Sequence, residues 1–242
     1  MVSANLQTLL APLCVGLLTS PAVNGSPIEP RGVINHDAVV GFAEKVPGGN
    51  LGDLYQRFQP LLFVRNGCVP FPAVDSDGNT GGGLNPTGGS SSGCDNSTGQ
   101  VYVRSLSHGS RYATMYSWYM PKDSPATGLG HRHDWEGIVV WTNTSSSTDI
   151  LAVATSAHGN FDVTVMPNVP LNGSRPQIEY SSTFPVNHQL GITSTKGGEQ
   201  PLIAWESMTD AARNALNTTD FGSAIVPFKD STFTANLQKA SF

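Results

Sequence analysis

The sequence predicts a mainly β protein, a β-sandwich with a few peripheral helices, and two features carry that prediction. The chain has 26 glycines and 17 prolines among 242 residues, which is typical of many turns and few long helices. Short segments rich in Val, Ile, Tyr, Trp and Thr alternate with runs of Gly, Pro, Asn and Ser, as strands do in a sandwich. Strands are predicted at residues 61–64, 100–106, 112–119, 136–142 and 150–155.

Three helices are expected to pack around these strands. One is predicted over residues 35–44, with Asn35 as its N-cap, and another over residues 51–58, ending before Pro60. A third is predicted over residues 205–216, where Met and Ala residues recur at helical spacing.

The composition excludes some classes of partner. Only 13% of residues are charged and the formal net charge is −5, so the basic surface expected of a nucleic-acid-binding protein is missing. The same balance argues against simple electrostatic attraction to anionic lipid. We expect no nucleic-acid partner.

The N-terminus is predicted to be a signal peptide covering residues 1–25, cleaved near residues 22–25. Residues 9–18 are mostly apolar, which suits a signal peptide and is too short to span a bilayer. No Lys or Arg precedes this run, so the alternative is a buried terminal strand or helix. Cleavage would leave one secreted, extracellular domain over residues 26–242, long enough to bury a core of its own.

Export also predicts the roles of the three cysteines. Cys14 would leave with the signal peptide, and Cys68 and Cys94 remain as a pair suited to one disulfide in an oxidising compartment. A metal-binding pair is the alternative, although neither cysteine lies in a CxxC motif or near a histidine. The disulfide would tie a Gly- and Ser-rich surface loop that is predicted at residues 75–99.

Four Asn-X-Ser/Thr sequences agree with export and are candidates for N-glycosylation. They begin at Asn96, Asn143, Asn172 and Asn217. Because the pattern is short, some matches are expected by chance in a chain this rich in Ser and Thr.

The chemistry of the chain is concentrated in Gly130-His131-Arg132-His133-Asp134-Trp135-Glu136. Five ionisable side chains fall within six residues of a chain that has few charges elsewhere. Imidazole and carboxylate groups are ligands for divalent cations, and oxygen-rich sets favour Mg²⁺, Ca²⁺ or Mn²⁺ over Zn²⁺ or Fe²⁺. The alternative is a solvated, salt-bridged loop in which His133 pairs with a carboxylate.

Side-chain alternation limits how this segment can bind an ion. In a regular strand the two histidines point to one face and the two carboxylates to the other, so a site using both types cannot lie on a regular strand. Gly128 and Gly130 therefore predict an irregular loop just before the site. Asp123, in the preceding Pro-bounded turn, is placed to approach from the other side.

Beyond this spacing, the chain resembles the necrosis- and ethylene-inducing peptide-like proteins, and its single cysteine pair resembles their single-disulfide subtype. The heptapeptide at residues 130–136 is identical to the family's motif. Four further segments are similar to family segments in the same order, over a region from about residue 35 to the C-terminus. They are residues 67–75, 113–123, 156–159 and 200–208.

The resemblance implies a fold, an activity and partners. The fold would be a β-sandwich of the actinoporin and fungal-lectin type that binds Mg²⁺ or Ca²⁺ in an acidic cavity. The protein would be a secreted cytolytic toxin and virulence factor, acting as a monomer at the host plasma membrane. It would recognise the sugar headgroup of plant glycosyl inositol phosphoryl ceramide sphingolipids and then permeabilise the membrane, causing necrosis.

Carried over by position, the resemblance also implies roles for individual residues. The cation ligands would be Asp123, His131, Asp134 and Glu136. His158 would line the headgroup cavity, or else be an ordinary hydrogen-bonded loop histidine. Arg132, His133 and Trp135 would support the segment rather than bind the ion, with Trp135 as a core aromatic.

Two other functions remain open. His131-x-His133 followed by Glu136 resembles the cupin metal motif of some metal-dependent enzymes, but that motif needs at least one more residue before its Glu. No nucleophile elbow or zincin helix is present, so we expect a toxin rather than a hydrolase. A non-cytolytic lectin or immune elicitor of the same fold is the second alternative. The second family motif has drifted at Pro201, Ala204 and Glu206, and the Gly/Ser-rich loop also leaves this alternative open.

Overall fold

A computed structural model of the protein describes Met1 and residues 32–242. The predicted signal peptide beyond Met1, together with Cys14, lies outside the described residues. The strands are β1 (Val33–Ile34), β2 (Leu61–Val64), β3 (Thr80–Gly81), β4 (Val101–His108), β5 (Arg111–Asp123), β6 (His131–Thr142), β7 (Ala152–Ala157), β8 (Asn160–Val165), β9 (Leu171–Asn172), β10 (Arg175–Ser181), β11 (Gln189–Ile192) and β12 (Leu202–Ala204). The α-helices are α1 (Asn50–Arg57), α2 (Asp210–Thr218) and α3 (Phe233–Lys239), with a 3₁₀ turn at Trp205–Ser207 before α2.

Two sheets form the sandwich. The main sheet has six strands in the order β12-β4-β5-β6-β7-β8, and the second is built from β11, β10 and β2 with β9 paired to β10. Strands β5 and β6 are the longest, at 13 and 12 residues, and they pair antiparallel over almost their whole length. Their apolar side chains, among them Trp118, Ile138 and Trp141, form the centre of one buried core.

The predicted sandwich of the actinoporin type is confirmed. All five predicted strands are present, although β6 begins five residues earlier than expected and β5 ends four residues later. The helix predicted over residues 51–58 is α1, and the helical stretch expected after Trp205 is divided into the 3₁₀ turn and α2. The short strands β1 and β3, strands β8 to β12 and helix α3 were not predicted.

The helix predicted over residues 35–44 is wrong. The chain makes a turn there, in which the Ala38 N–H donates to the Asn35 carbonyl, and then runs extended to Lys45. Lys45 forms a parallel bridge with Ile203 of β12, so pairing with the sheet edge replaces the local helix preference. Gly41 permits the extended segment to pass close to Pro72, since a Cβ there would lie 2.9 Å from Pro72 Cγ.

The predicted disulfide between Cys68 and Cys94 is confirmed, and both residues are buried. The loop predicted over residues 75–99 is largely irregular, but Thr80 and Gly81 form β3, pair with β1 and are buried. Within the described part of the chain, no helix has the length and apolar character needed to cross a membrane.

Candidate functional site

The end of the β5–β6 hairpin brings the first two site residues together. Asp123 is the last residue of β5 and pairs directly with His131, the first residue of β6. Gly130, which precedes His131, has φ 94°, and a Cβ there would lie only 2.2 Å from the Asp123 carbonyl oxygen. Only glycine fits this turn, so the irregular loop predicted before the site is confirmed.

Both strands are irregular just behind this end. Met120 pairs with Asp134, whereas Lys122 lies opposite both His133 and Arg132, so each strand shifts its register before Asp123 meets His131. A bulge of this kind changes the face to which the following side chains point. The shift explains how His131 and Asp134, three residues apart, reach the same side of the sheet.

Three potential ligands meet as a result. Asp123, His131 and Asp134 offer ligand atoms that all lie within 4.8 Å of one another. His131 Nδ1 lies 2.7 Å from the His133 carbonyl oxygen. Since a carbonyl oxygen can only accept, Nδ1 is the donor, and this hydrogen bond orients the ring. The opposite ring nitrogen, Nε2, points toward the carboxylates and lies 3.7 Å from Asp123 Oδ2, so it is placed to bind an ion between the two side chains.

Tyr180 of β10 and His188, in the segment just before β11, hold the two aspartates. The Tyr180 hydroxyl donates to Asp134 Oδ2 at 2.7 Å. His188 donates to Asp123 through its ring Nδ1 at 2.6 Å and through its backbone N–H, and its ring stacks on Tyr180. Sequence reasoning missed both residues, because neither lies in a motif of closely spaced polar side chains.

Glu136 lies beside this group and faces the same cavity. It is buried and accepts a hydrogen bond from the Ser156 hydroxyl, which also accepts the Gly137 N–H. Its carboxylate is not among the three groups whose atoms already lie within 4.8 Å. Its place as a fourth ligand therefore stays a prediction.

Burial dominates the electrostatics of the carboxylates. Desolvation raises the pKa of Asp134 to about 7, and the neighbouring charge of Asp123 adds to the rise. The pKa of Glu136 is raised well above its ordinary value by burial first and by the charge of Asp134 second. Packing ionisable carboxyls this closely favours either bound protons or a bound cation.

The histidines of the motif have different surroundings. His133 turns away from the site, its Nδ1 lies 2.7 Å from the Tyr119 hydroxyl, and burial lowers its pKa to about 4, so the ring is neutral. Arg132 donates to the carbonyls of Gly82 and Gly83 in the disulfide-tied loop. Trp135 packs in the core against Phe221 and other aromatic rings.

One cavity of about 390 Å³ opens onto the cation group. His158, in the exposed turn between β7 and β8, lies on its wall, and its ring has no hydrogen bond to any described residue. Other lining residues come from the C-terminal segment that precedes and includes α3. The site therefore combines an acidic floor with an open rim of mixed polar and apolar side chains.

A β-sandwich with two aspartates and a histidine grouped at the floor of an open cavity defines a mainly β protein with a candidate divalent-cation site. The comparison with family models identifies it further. Residues 52–240 match the model described as "Necrosis inducing protein (NPP1)", and the chain belongs to this family of necrosis-inducing, NLP-type toxins.

Individual relatives agree with this assignment. "NLP effector protein 10" of Phytophthora capsici is 52% identical over 213 residues, which cover 86% of this chain and 91% of the relative. The solved structure of NLPPya in complex with mannosamine is 50% identical, with a TM-score of 0.83 over 87% of this chain and all of that one. The crystal structure of the non-toxic HaNLP3 protein is 44% identical, with a TM-score of 0.82 over 85% of this chain and 98% of that one.

Proposed function

We propose that this protein is a secreted cytolytic toxin that binds sphingolipid headgroups of the plant plasma membrane in a cation-dependent way and permeabilises that membrane. Residues 1–25 are the proposed signal peptide, and residues 26–242 the proposed toxin domain, acting as a monomer. Membership of the necrosis-inducing family supports the class of activity. The observation that carries the cation dependence is the buried group formed by Asp123, His131 and Asp134.

The proposed cation is Mg²⁺ or Ca²⁺, held by Asp123, His131, Asp134 and Glu136. The residues present fit such an ion, because three carboxylates and one imidazole supply the oxygen-rich set that these hard cations prefer. The burial that raises the pKa of Asp134 and Glu136 would be offset by the charge of the ion.

The proposed ligand is the sugar part of a glycosyl inositol phosphoryl ceramide. A bound Mg²⁺ or Ca²⁺ keeps coordination positions for water or hydroxyl groups beyond its protein ligands, and these positions suit sugar hydroxyls. His158 on the cavity wall has a ring that makes no hydrogen bond to the described residues, so it is free to bond to a sugar. The solved relative NLPPya in complex with mannosamine supports sugar binding by this fold.

Exposed apolar side chains near the cavity support approach to a membrane. Leu129 lies in the loop just before His131, Phe184 and Val186 precede His188, and Ile225 lines the cavity itself. Phe184 is 68% exposed and Ile225 is 57% exposed, so both side chains are accessible to a lipid surface. We propose that this end of the sandwich faces the lipid surface and that the activity is binding and membrane damage, without catalysis.

A second candidate is a non-cytolytic lectin or immune elicitor with the same site. The similarity to the non-toxic HaNLP3 protein favours it, because that chain has the same fold at 44% identity. The two candidates share cation and sugar binding and differ in membrane damage.

Leakage from lipid vesicles tests the proposal. Vesicles with and without plant glycosyl inositol phosphoryl ceramide are exposed to the protein in Mg²⁺, in Ca²⁺ and in a chelator. We expect dye release only when sphingolipid and cation are both present. Binding to the sphingolipid vesicles without release would support the non-cytolytic candidate, whereas release that is indifferent to both would refute the proposed mechanism. Turnover of the sphingolipid would instead establish a metal-dependent hydrolase.

A further inference from the structure

His133 has a backbone conformation that is uncommon for a residue with a Cβ atom. Its φ is 61°, and among the described residues only His158 is another non-glycine with positive φ. For a residue with a Cβ, this left-handed conformation costs roughly 1–2 kcal/mol and persists only where the surroundings hold it. His158 lies in an exposed turn, whereas His133 is buried inside strand β6.

The surroundings hold His133 through its ring. Nδ1 lies 2.7 Å from the Tyr119 hydroxyl, and the ring packs edge-on against Phe221 with centroids 5.2 Å apart. Gly83 approaches so closely that a Cβ there would lie 2.6 Å from His133 Nδ1. The ring therefore fits a closed niche on the face of the sheet opposite the carboxylates.

The left-handed residue determines which way its neighbours point. It lies at the bulge where Arg132 and His133 share Lys122 as partner, between His131 and Asp134. Without this bulge, side-chain alternation would send His131 and Asp134 to opposite faces. The His133 carbonyl also accepts the Nδ1 proton of His131, which turns Nε2 toward Asp123.

We infer that His133 is a positioning residue for the cation site: its left-handed backbone places His131 and Asp134 on one face, and its carbonyl fixes the His131 ring. The inference rests on the cation site of the proposed function. His133 itself would not contact the ion. Its imidazole acts by filling the niche between Tyr119 and Phe221, which stabilises the conformation that the site needs.

Two substitutions separate the backbone from the ring. Asn tolerates a positive φ, whereas the β-branched side chain of Val strongly disfavours it. Titration of the full chain with Mg²⁺ and Ca²⁺ by calorimetry should show affinity within about threefold of the original for His133→Asn and a loss of at least tenfold for His133→Val. If His133→Val does not fold, His133→Ala provides the same comparison, because Ala also disfavours positive φ.

A matched control distinguishes positioning from general stability. Val140→Ala alters a buried residue in the regular part of the same strand, so it should lower the melting temperature without changing cation affinity. Equal affinity losses for the Asn and Val variants, or original affinity in the Val variant, would overturn the inference. Failure of the unmodified protein to bind either cation would instead refute the cation site of the proposed function.

Discussion

The two ends of strand β6 differ in every property that distinguishes a binding site from a scaffold. From Ile138 to Trp141 the strand pairs regularly with both neighbours, and its side chains are apolar and buried. From His131 to Glu136 it has ionisable side chains, an irregular register and a left-handed residue. At about 3.3 Å per residue, the 12 residues of β6 place its ends roughly 35 Å apart.

The difference shows that the irregular end is maintained at a cost to stability. Buried carboxyl groups and a left-handed histidine both oppose folding, and hydrogen bonds from Tyr180 of β10 and from His188, just before β11, compensate. The regular end needs no such partners. Substitutions that relieve the cost at the irregular end should therefore abolish function while leaving the fold intact.

The largest expected effect is that of Asp134→Asn. The variant keeps an acceptor for the Tyr180 hydroxyl but loses one anionic ligand. We expect cation affinity to fall on the order of 100-fold and leaf necrosis to disappear. The melting temperature of the cation-free protein should stay unchanged or rise, because a costly buried charge is gone. Titration calorimetry, leaf infiltration and thermal unfolding measure the three outcomes.

Asp149→Asn is the matched control for this variant. Asp149 is an exposed carboxylate in the loop after the regular end of β6. The same substitution there should change neither cation affinity nor necrosis. Full necrosis from a folded Asp134→Asn protein would contradict the assignment of the site.

A smaller effect is expected from pH. The pKa of Asp134 is raised from its ordinary value to about 7 by burial, so the folded, cation-free protein retains a proton that the unfolded chain releases. Its free energy of unfolding should fall as pH rises from about 4 to 8, at roughly 1.4 kcal/mol per unit of raised pKa. Melting temperatures at pH 5 and pH 8 in a chelator should show this fall, and added Mg²⁺ or Ca²⁺ should reduce it.

The Asp134→Asn variant isolates the contribution of this carboxyl group to the pH effect. It should lose a clear part of the fall between pH 5 and pH 8, and the remainder should reflect Glu136, whose pKa is also raised by burial. An equal fall in both proteins would show that Asp134 does not titrate in this range.

The two ends of β6 also differ in how well the sequence predicts them. The regular end of β6 follows from the continuous run of β-branched and aromatic residues from Ile138 to Trp141, and the sandwich follows from the spacing of such strands. Side-chain alternation shows that His131 and Asp134 cannot share a face of a regular strand, but it does not reveal the bulge at His133. Tyr180 and His188, on β10 and in the segment just before β11, join the site only through tertiary packing. They lie 46 and 65 residues from their partners Asp134 and Asp123 in sequence, so no local pattern predicts them.

The smallest expected effect is that of glycans at the regular end. Asn143 and Asn172 are exposed, and the turns that follow them both contact Arg57. The Arg57 side chain donates to the Ser147 carbonyl, and the Arg57 carbonyl accepts from the Ser174 hydroxyl. We expect glycans at both in protein secreted from a eukaryotic host, and unchanged vesicle leakage when both are replaced by Gln. Glycopeptide mass spectrometry identifies the modified residues.

The sequon at Asn217 provides a structural contrast. Asn217 is half-buried on α2, and its side-chain amide donates to the Asp230 carboxylate and accepts the Asp230 backbone N–H. We expect no glycan there.

Asp162→Thr tests the opposite end, since it creates a sequon at Asn160, which is exposed on the cavity wall. A glycan at Asn160 should block leakage, and enzymatic removal of the glycan should restore it. Leakage that tolerates a glycan at Asn160 would show that this end of the sandwich does not meet the membrane.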